Sequence, residues 1–186
     1  MKKGFTLIEI LVAMAIFLTV VLLITDIFLS VSNVQRVTLH NQKALNDLQT
    51  TMETINYYVH DSKIDYDWYL ENGNPSLNEN PISSLKLIDS QGRDVLIKLD
   101  SESLKLIIDS QDVVSLTPAD LNITEFNLYI SPSVSPLSFN EMSYEYESDQ
   151  QAFVTVGIVA QSTELNDSEQ DDLRIQTTIS SRIYAR

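Results

Sequence analysis

One apolar stretch near the start of the chain constrains its fold more than any other feature of the sequence. Phe5 to Thr25 is 21 residues long, and Glu9 is its only charged residue. As an α-helix it would extend about 31 Å, at 1.5 Å per residue, which is about the thickness of the hydrocarbon core of a bilayer. Lys2 and Lys3 precede it, and positive residues tend to stay on the cytoplasmic side. We therefore expect a single-pass membrane helix with its N-terminus in the cytoplasm and the rest of the chain outside.

Glu9 distinguishes three interpretations of this stretch. A charge inside a membrane segment costs about 2 to 3 kcal/mol or more unless a partner compensates it. A cleaved secretory signal peptide has a short apolar core followed by small residues at its cleavage site, and residues 21–28 offer no such site. A plain signal anchor accepts the length of the stretch but leaves the carboxylate unexplained.

The third interpretation explains the lysines, the glycine and the carboxylate together. Lys-Gly-Phe-Thr-Leu-Ile-Glu at residues 3–9 resembles the processing and methylation signal of type IV pilins and type II secretion pseudopilins. The resemblance implies that a prepilin peptidase cuts after Gly4 and then methylates the new terminal amine of Phe5. It also implies that Glu9 pairs with the terminal amine of a neighbouring subunit and so sets the register of assembly. We therefore predict a leader of residues 1–4.

The resemblance also implies a location and a set of partners. Many major pilins carry a helix-breaking Pro or Gly early in the chain, whereas this chain has neither between Phe5 and Glu71. With Asp26 at the outer end of the span, this departure favours a minor pilin or pseudopilin. Such a subunit enters the inner membrane and then a filament at the cell surface. Its partners are the prepilin peptidase, other pilin or pseudopilin subunits, the inner-membrane assembly platform and the lipid bilayer.

The apolar pattern predicts that the same helix continues to about Lys63. Residues 5–31 are the expected membrane and filament-core part, and 32–63 the amphipathic part. Thr38 and Asn41 mark the expected passage into the head. A coiled coil is the alternative, but it requires charged flanking positions and more heptads than this stretch has, which favours a stripe half buried on a sheet. Eight of the ten positions reached in steps of four and three are apolar. These positions are Ile27, Val31, Val34, Thr38, Asn41, Leu45, Leu48, Met52, Ile55 and Val59.

Residues 83–186 are predicted to form a mostly antiparallel β head, after a connecting loop at 64–82. Short runs of strand-forming residues alternate there with turn residues. The predicted class is therefore α+β, a long N-terminal α-helix packed on an antiparallel sheet, and the strand pattern resembles the C-terminal half of minor pilins and pseudopilins. The predicted strands are 84–88, 94–99, 104–108, 113–116, 123–130, 154–159 and 174–183.

Charge and composition exclude several classes of function. The net charge is −14, and loss of residues 1–4 removes two lysines and leaves 10 basic against 26 acidic residues, or −16. Such a chain repels nucleic-acid phosphates, so we expect no direct nucleic-acid binding. Lys63, Lys86, Lys98 and Lys105 are widely spaced and give no sign of a basic groove. Cysteine is absent, which excludes disulfides and thiol chemistry.

The sequence offers no catalytic residues, and we expect no enzyme and no required cofactor. His40 and His60 are the only histidines, and both fall on the predicted helix. The acidic stretch at residues 164–172 carries oxygen ligands of the kind that Ca²⁺ prefers. A solvated loop between two strands is the alternative interpretation of that stretch, so no metal ligand is assigned.

Three aromatic residues in the connecting loop leave a second class of function open. Tyr66, Trp68 and Tyr69 either hold this loop against the head or form a platform for a sugar. The alternative function is therefore a signal-anchored extracytoplasmic binding protein, whose head recognises sugar or Ca²⁺ and in which Glu9 has no role.

Overall fold

The fold is a long helix followed by antiparallel sheets, which confirms the predicted α+β class. The computed structural model describes residues 6–71, 77, 81–136, 138–140, 145–146, 150–165 and 171–181. The chain divides into two compact units, residues 1–40 and 41–186. The first unit contains the apolar part of the helix, and the second contains the remainder of the helix and all the strands.

Helix α1 is Leu7–His60, a run of 54 residues without Gly or Pro. Its N-terminal part is long and apolar enough to cross a membrane, by length and composition, and none of the most apolar window is buried within the chain. Two threonines in this part donate their hydroxyls to the backbone of the preceding turn. Thr19 donates to the carbonyl of Ala15, and Thr25 to that of Val21, each at 2.9 Å. These polar groups are therefore paired within the helix, as a hydrocarbon environment requires.

The part of α1 that belongs to the second unit buries one stripe. Leu48, Ile55 and Val59 are fully buried, as the spacing predicts, whereas Leu45 is 38% exposed. Ala44 occupies the buried position one residue earlier. Thr51 lies in the same stripe and donates its hydroxyl to the carbonyl of Leu116, at 3.1 Å.

In the described part of the chain, ten strands and a second helix follow α1. Neighbouring strands are antiparallel and form a five-stranded sheet in the order β1-β2-β3-β4-β5, a three-stranded sheet in the order β10-β9-β6, and a pair β7-β8. The elements are β1 Ser62–Ile64, α2 Tyr66–Glu71, β2 Ser84–Asp89, β3 Asp94–Asp100, β4 Ser103–Ile108, β5 Asp112–Ser115, β6 Leu121–Ser131, β7 Phe139–Asn140, β8 Glu145–Tyr146, β9 Phe153–Ser162 and β10 Leu173–Ser180.

The two larger sheets share one hydrophobic core with the buried stripe of α1. Ile82, just before β2, exchanges two backbone hydrogen bonds with Leu128 of β6, at 3.0 and 2.9 Å. Farther along, the amide of Ile123 donates to the carbonyl of Glu102 at 2.8 Å. These bonds connect the three-stranded sheet to the start of β2 and to the β3–β4 turn. The core therefore joins both sheets into one head.

The structure differs from the predicted element boundaries near the end of α1. The helix ends at His60 rather than at Lys63, because Ser62–Ile64 pairs with β2 as strand β1. The predicted loop at 64–82 also contains α2, where the amide of Trp68 donates to the carboxylate of Asp65 at 3.2 Å. All seven predicted strands are present, with ends shifted by a few residues, and the last stops at Ser180.

Candidate processing and assembly site

The first turn of α1 is closed by a reciprocal pair of hydrogen-bonding side chains. Oε2 of Glu9 accepts a hydrogen bond from the backbone amide of Thr6 at 2.8 Å and from its hydroxyl at 2.9 Å. In return, the amide of Glu9 donates to the hydroxyl oxygen of Thr6 at 3.4 Å. This arrangement is a capping box, in which residues three positions apart satisfy donors that the helix end leaves unpaired.

The capping box changes how the carboxylate of Glu9 is held in the single chain. A carboxylate within an apolar membrane segment requires hydrogen-bond donors, and Thr6 supplies two of them to one oxygen. The other oxygen, Oε1, accepts no hydrogen bond among the described residues. Glu9 therefore has one oxygen committed within its own helix and one available for a further donor. The Thr-x-x-Glu spacing at residues 6–9 is a sequence signature of a capping box, so sequence reasoning had the signal for Thr6 and did not use it.

Two of the predicted site residues, Gly4 and Phe5, lie outside the described residues. Their roles in cleavage and methylation stay predictions from the motif. Cleavage between them would leave the Phe5–Thr6 peptide bond intact, so the amide of Thr6 that donates to Glu9 is present before and after processing. The freed amine of Phe5 would lie one residue from the capping box.

The acidic stretch at 164–172 uses its described ends in contacts within the head. Glu164 lies 3.5 Å from the ammonium of Lys43, which also pairs with Asp120. Asp172 accepts from the side-chain amide of Gln161 at 2.9 Å and from the guanidinium of Arg174 at 3.2 Å. Residues 166–170 lie outside the described part of the chain. Among the residues that the structure describes, no group of three or more His, Asp or Glu has the arrangement of a metal site.

The three aromatic residues of the connecting segment do not form one exposed platform. Tyr69 is 3% exposed, and its phenol donates to the carbonyl of Ser84 at 3.1 Å and accepts from the amide of Lys86 at 2.9 Å. Burial raises the pKa of Tyr69, so the phenol is neutral. Trp68 meets Tyr69 edge to face at 5.0 Å, and the hydroxyl of Tyr66 donates to the carbonyl of Pro132 at 3.1 Å. These contacts fasten the segment to the head, as the first of the two interpretations predicts.

The N-terminal residues also match a known family model. Residues 1–25 match the model of the prokaryotic N-terminal methylation motif. No curated protein and no solved structure gives a significant match to the chain. The match confirms the resemblance that residues 3–9 carry: this chain has the N-terminal methylation motif of the type IV pilin-like proteins, the mark of a precursor that prepilin peptidase processes.

Proposed function

We propose that this chain is a minor pilin or pseudopilin, a structural subunit that assembles into a type IV pilus-like or type II secretion filament. The observation that carries the proposal is the methylation motif at residues 1–25, joined to a helix that can span a membrane. The proposal assigns the chain no catalytic activity and no required cofactor. The processed subunit would wait in the inner membrane, with its head outside, before the assembly platform adds it to the filament.

The state of Glu9 supports a specific assembly step. Processing leaves a terminal amine on Phe5 that remains cationic after methylation. The free Oε1 of Glu9 offers an acceptor to the amine of a neighbouring subunit, while Thr6 continues to hold Oε2. Loss of one member of a buried ion pair typically costs about 3 to 5 kcal/mol, so a subunit that enters out of register would be rejected.

A variant of Glu9 tests this step. Glu9→Leu should leave cleavage intact, because the cut lies at Gly4, but the variant should fail to enter filaments. Asp26→Leu is the matched control, since it removes a carboxylate from the same helix at the outer end of the span. Subunits are counted in sheared filaments and in membranes by immunoblotting. Normal incorporation of Glu9→Leu would show that the carboxylate does not direct assembly.

A further inference from the structure

Strand β10 borders the three-stranded sheet and leaves one of its own edges open. Among the described strands it pairs with β9 alone. The amide of Ser181 donates to the carbonyl of Ala152 at 3.0 Å, and this pair continues the register of the two strands. Since antiparallel residues exchange backbone hydrogen bonds at every second pair, the odd-numbered residues of β10 bond to β9. The backbone N–H and C=O groups of the even-numbered residues therefore point outwards. These residues are Arg174, Gln176, Thr178 and Ser180.

No described residue bonds to these outward backbone groups. Two of the side chains are engaged elsewhere: the hydroxyl of Thr178 meets that of Thr155 at 2.8 Å, and the guanidinium of Arg174 donates to Asp172 at 3.2 Å. Neither contact uses the outer backbone of the strand. Because backbone N–H and C=O groups are strong donors and acceptors, a regular row of them is a template for a further strand.

The other sheet edges carry features that discourage a further strand. β1 has three residues and β5 has four, and β5 begins with the charged Asp112. β6 has a bulge between Ile123 and Glu125, and its outer side is bonded to Ile82. β10 has eight residues, an unbroken register with β9, no Gly or Pro, and Arg174 as its only charged residue. Since proteins commonly protect exposed edges by shortness, charge or bulges, this long unprotected edge suits the binding of an added strand.

A groove of about 380 Å³ lies beside this edge, between β10 and α1. Its apolar lining comes from both elements, and its polar lining from α1 includes one carboxylate. The side chains concerned are Met52, Ile175 and Ile179, and Gln49, Glu53 and Asn56. The three polar residues follow one another in steps of four and three, so they share one face of α1. The groove therefore gives room to the inward side chains of a strand that is added to β10.

The charge of the groove indicates what kind of strand it accepts. Glu53 is exposed and forms no salt bridge among the described residues. Arg174, at one end of the edge, is already paired with Asp172. The chain as a whole has a net charge of −14, so it repels a second copy of itself and attracts a basic segment.

We propose that β10 binds an extended, basic segment of a second protein. The segment adds a strand to the three-stranded sheet through its backbone and places a Lys or Arg side chain against Glu53. Backbone hydrogen bonds supply affinity in this mode of recognition, and alternate side chains supply specificity. The inference goes beyond the proposed function, because it needs only the head and holds whether or not the chain enters a filament.

Two synthetic peptides that differ in one residue test the proposal on the full chain in detergent micelles. The basic peptide is acetyl-Thr-Val-Thr-Lys-Thr-Val-amide, in which Lys and both Val lie on the same face of a strand. In the acidic peptide, Glu replaces Lys. Binding is measured by the fluorescence anisotropy of labelled peptides. The basic peptide should bind at least about fivefold more tightly, and added salt should reduce this difference.

A charge swap tests the role of Glu53. In Glu53→Lys the preference should reverse, so that the acidic peptide binds more tightly than the basic one. Glu125→Lys is the matched control, because Glu125 is an exposed carboxylate on β6 and the change in total charge is the same. This variant should keep the preference for the basic peptide. The fluorescence of Trp68 checks that both variants are folded.

A change at Thr178 tests the backbone pairing. Thr178→Pro removes one outward N–H, and it removes no hydrogen bond to β9, so Pro is tolerated there as on other edge strands. Binding of the basic peptide should weaken by about tenfold, whereas Thr178→Val keeps the N–H and should bind as before. Methylation of the backbone nitrogens of the peptide should have the same effect on the unaltered chain. Bound peptide should also slow amide hydrogen exchange at Gln176, Thr178 and Ser180.

Several outcomes would overturn the proposal. Failure of the basic peptide to bind, or equal binding of the two peptides, would refute the stated partner. An unchanged preference in Glu53→Lys would refute the role of the carboxylate, and full binding of the methylated peptide would refute strand addition. If the three amides become protected in the chain alone as its concentration rises, a second copy occupies the edge instead.

Discussion

Asp89 closes the turn between β2 and β3 and offers a quantitative test of the head structure. Its side chain is 7% exposed. Oδ1 accepts the amides of Gln91 and Arg93, each at 2.8 Å, and Oδ2 accepts Nε of Arg93 at 2.7 Å. Hydrogen bonds to a charged group contribute about 1.5 to 3 kcal/mol each, and they are not additive. Because the turn is exposed and water can solvate the freed amides, we expect Asp89→Ala to cost about 2 to 3 kcal/mol in total.

Asp89→Asn separates charge from shape in this network. The amide oxygen can still accept both backbone amides, but the amide nitrogen cannot accept Nε of Arg93. We therefore expect a smaller loss of about 1 to 2 kcal/mol. Both values are measured by urea unfolding of the full chain in detergent micelles, followed through Trp68, the only tryptophan.

The same network predicts a dependence on pH. Burial opposes ionisation of Asp89, but the hydrogen bonds from Arg93 and Gln91 outweigh it and lower the pKa of this carboxyl. A carboxyl with a lowered pKa stabilises the fold above its unfolded pKa, about 3.9, and this contribution is lost as the pH falls through the folded pKa. Between about pH 5 and pH 2, wild-type stability should thus fall more steeply than that of Asp89→Asn.

A surface control completes the Asp89 test. Asp112→Ala removes an exposed carboxylate at the start of β5 and should change the free energy of unfolding by less than about 0.5 kcal/mol. If Asp89→Ala has an effect as small as this control, the hydrogen bonds of Asp89 do not stabilise the turn. Equal acid sensitivity of wild type and Asp89→Asn would refute the charge argument.

Three further changes test other parts of the structure. Ile55→Ala should cost about 3 to 4 kcal/mol because Ile55 is fully buried, whereas Leu45→Ala should cost under about 1 kcal/mol; equal losses in urea unfolding would contradict the buried stripe of α1. Glu102→Gly should raise the free energy of unfolding by about 1 kcal/mol. Glu102 has a φ of 67° in the β3–β4 turn, a left-handed conformation that is strained for residues with a Cβ but not for Gly. A lower unfolding midpoint would contradict this reasoning. Thr6→Val should speed amide hydrogen exchange in the first turn of α1 and Thr6→Ser should restore protection; unchanged exchange in Thr6→Val would contradict the capping box.

Periodicity predicted those parts of the fold that depend on local sequence. The apolar stretch indicated the membrane helix, and the alternation of apolar residues indicated the strands. The spacing also placed Leu48, Ile55 and Val59 on the buried face of α1. The spacing wrongly placed Leu45 on that face, because steps of three and four define a helical face only to within one residue. The smaller Ala44, one position earlier, is the residue that is buried there.

The parts that could not be predicted depend on contacts between distant residues. Alternation assigns each lysine to one side of its strand, but it does not say which strands are neighbours or which residues face each other. The position of Lys98 directly opposite Lys105, for example, arises only from that register. Strand β1 is similar, since its three residues extend the sheet only because β2 has an open edge beside them.

The N-terminal peptide of the native protein tests the central claim most directly. Mass spectrometry of the chain isolated from its host membrane should find Phe5 as the first residue, with one methyl group on its amine and no trace of residues 1–4. This result would establish cleavage after Gly4 and the methylation that the motif implies. A chain that still begins at Met1, or one that is cut at any other bond, would contradict the assignment of this protein as a pilin-like filament subunit.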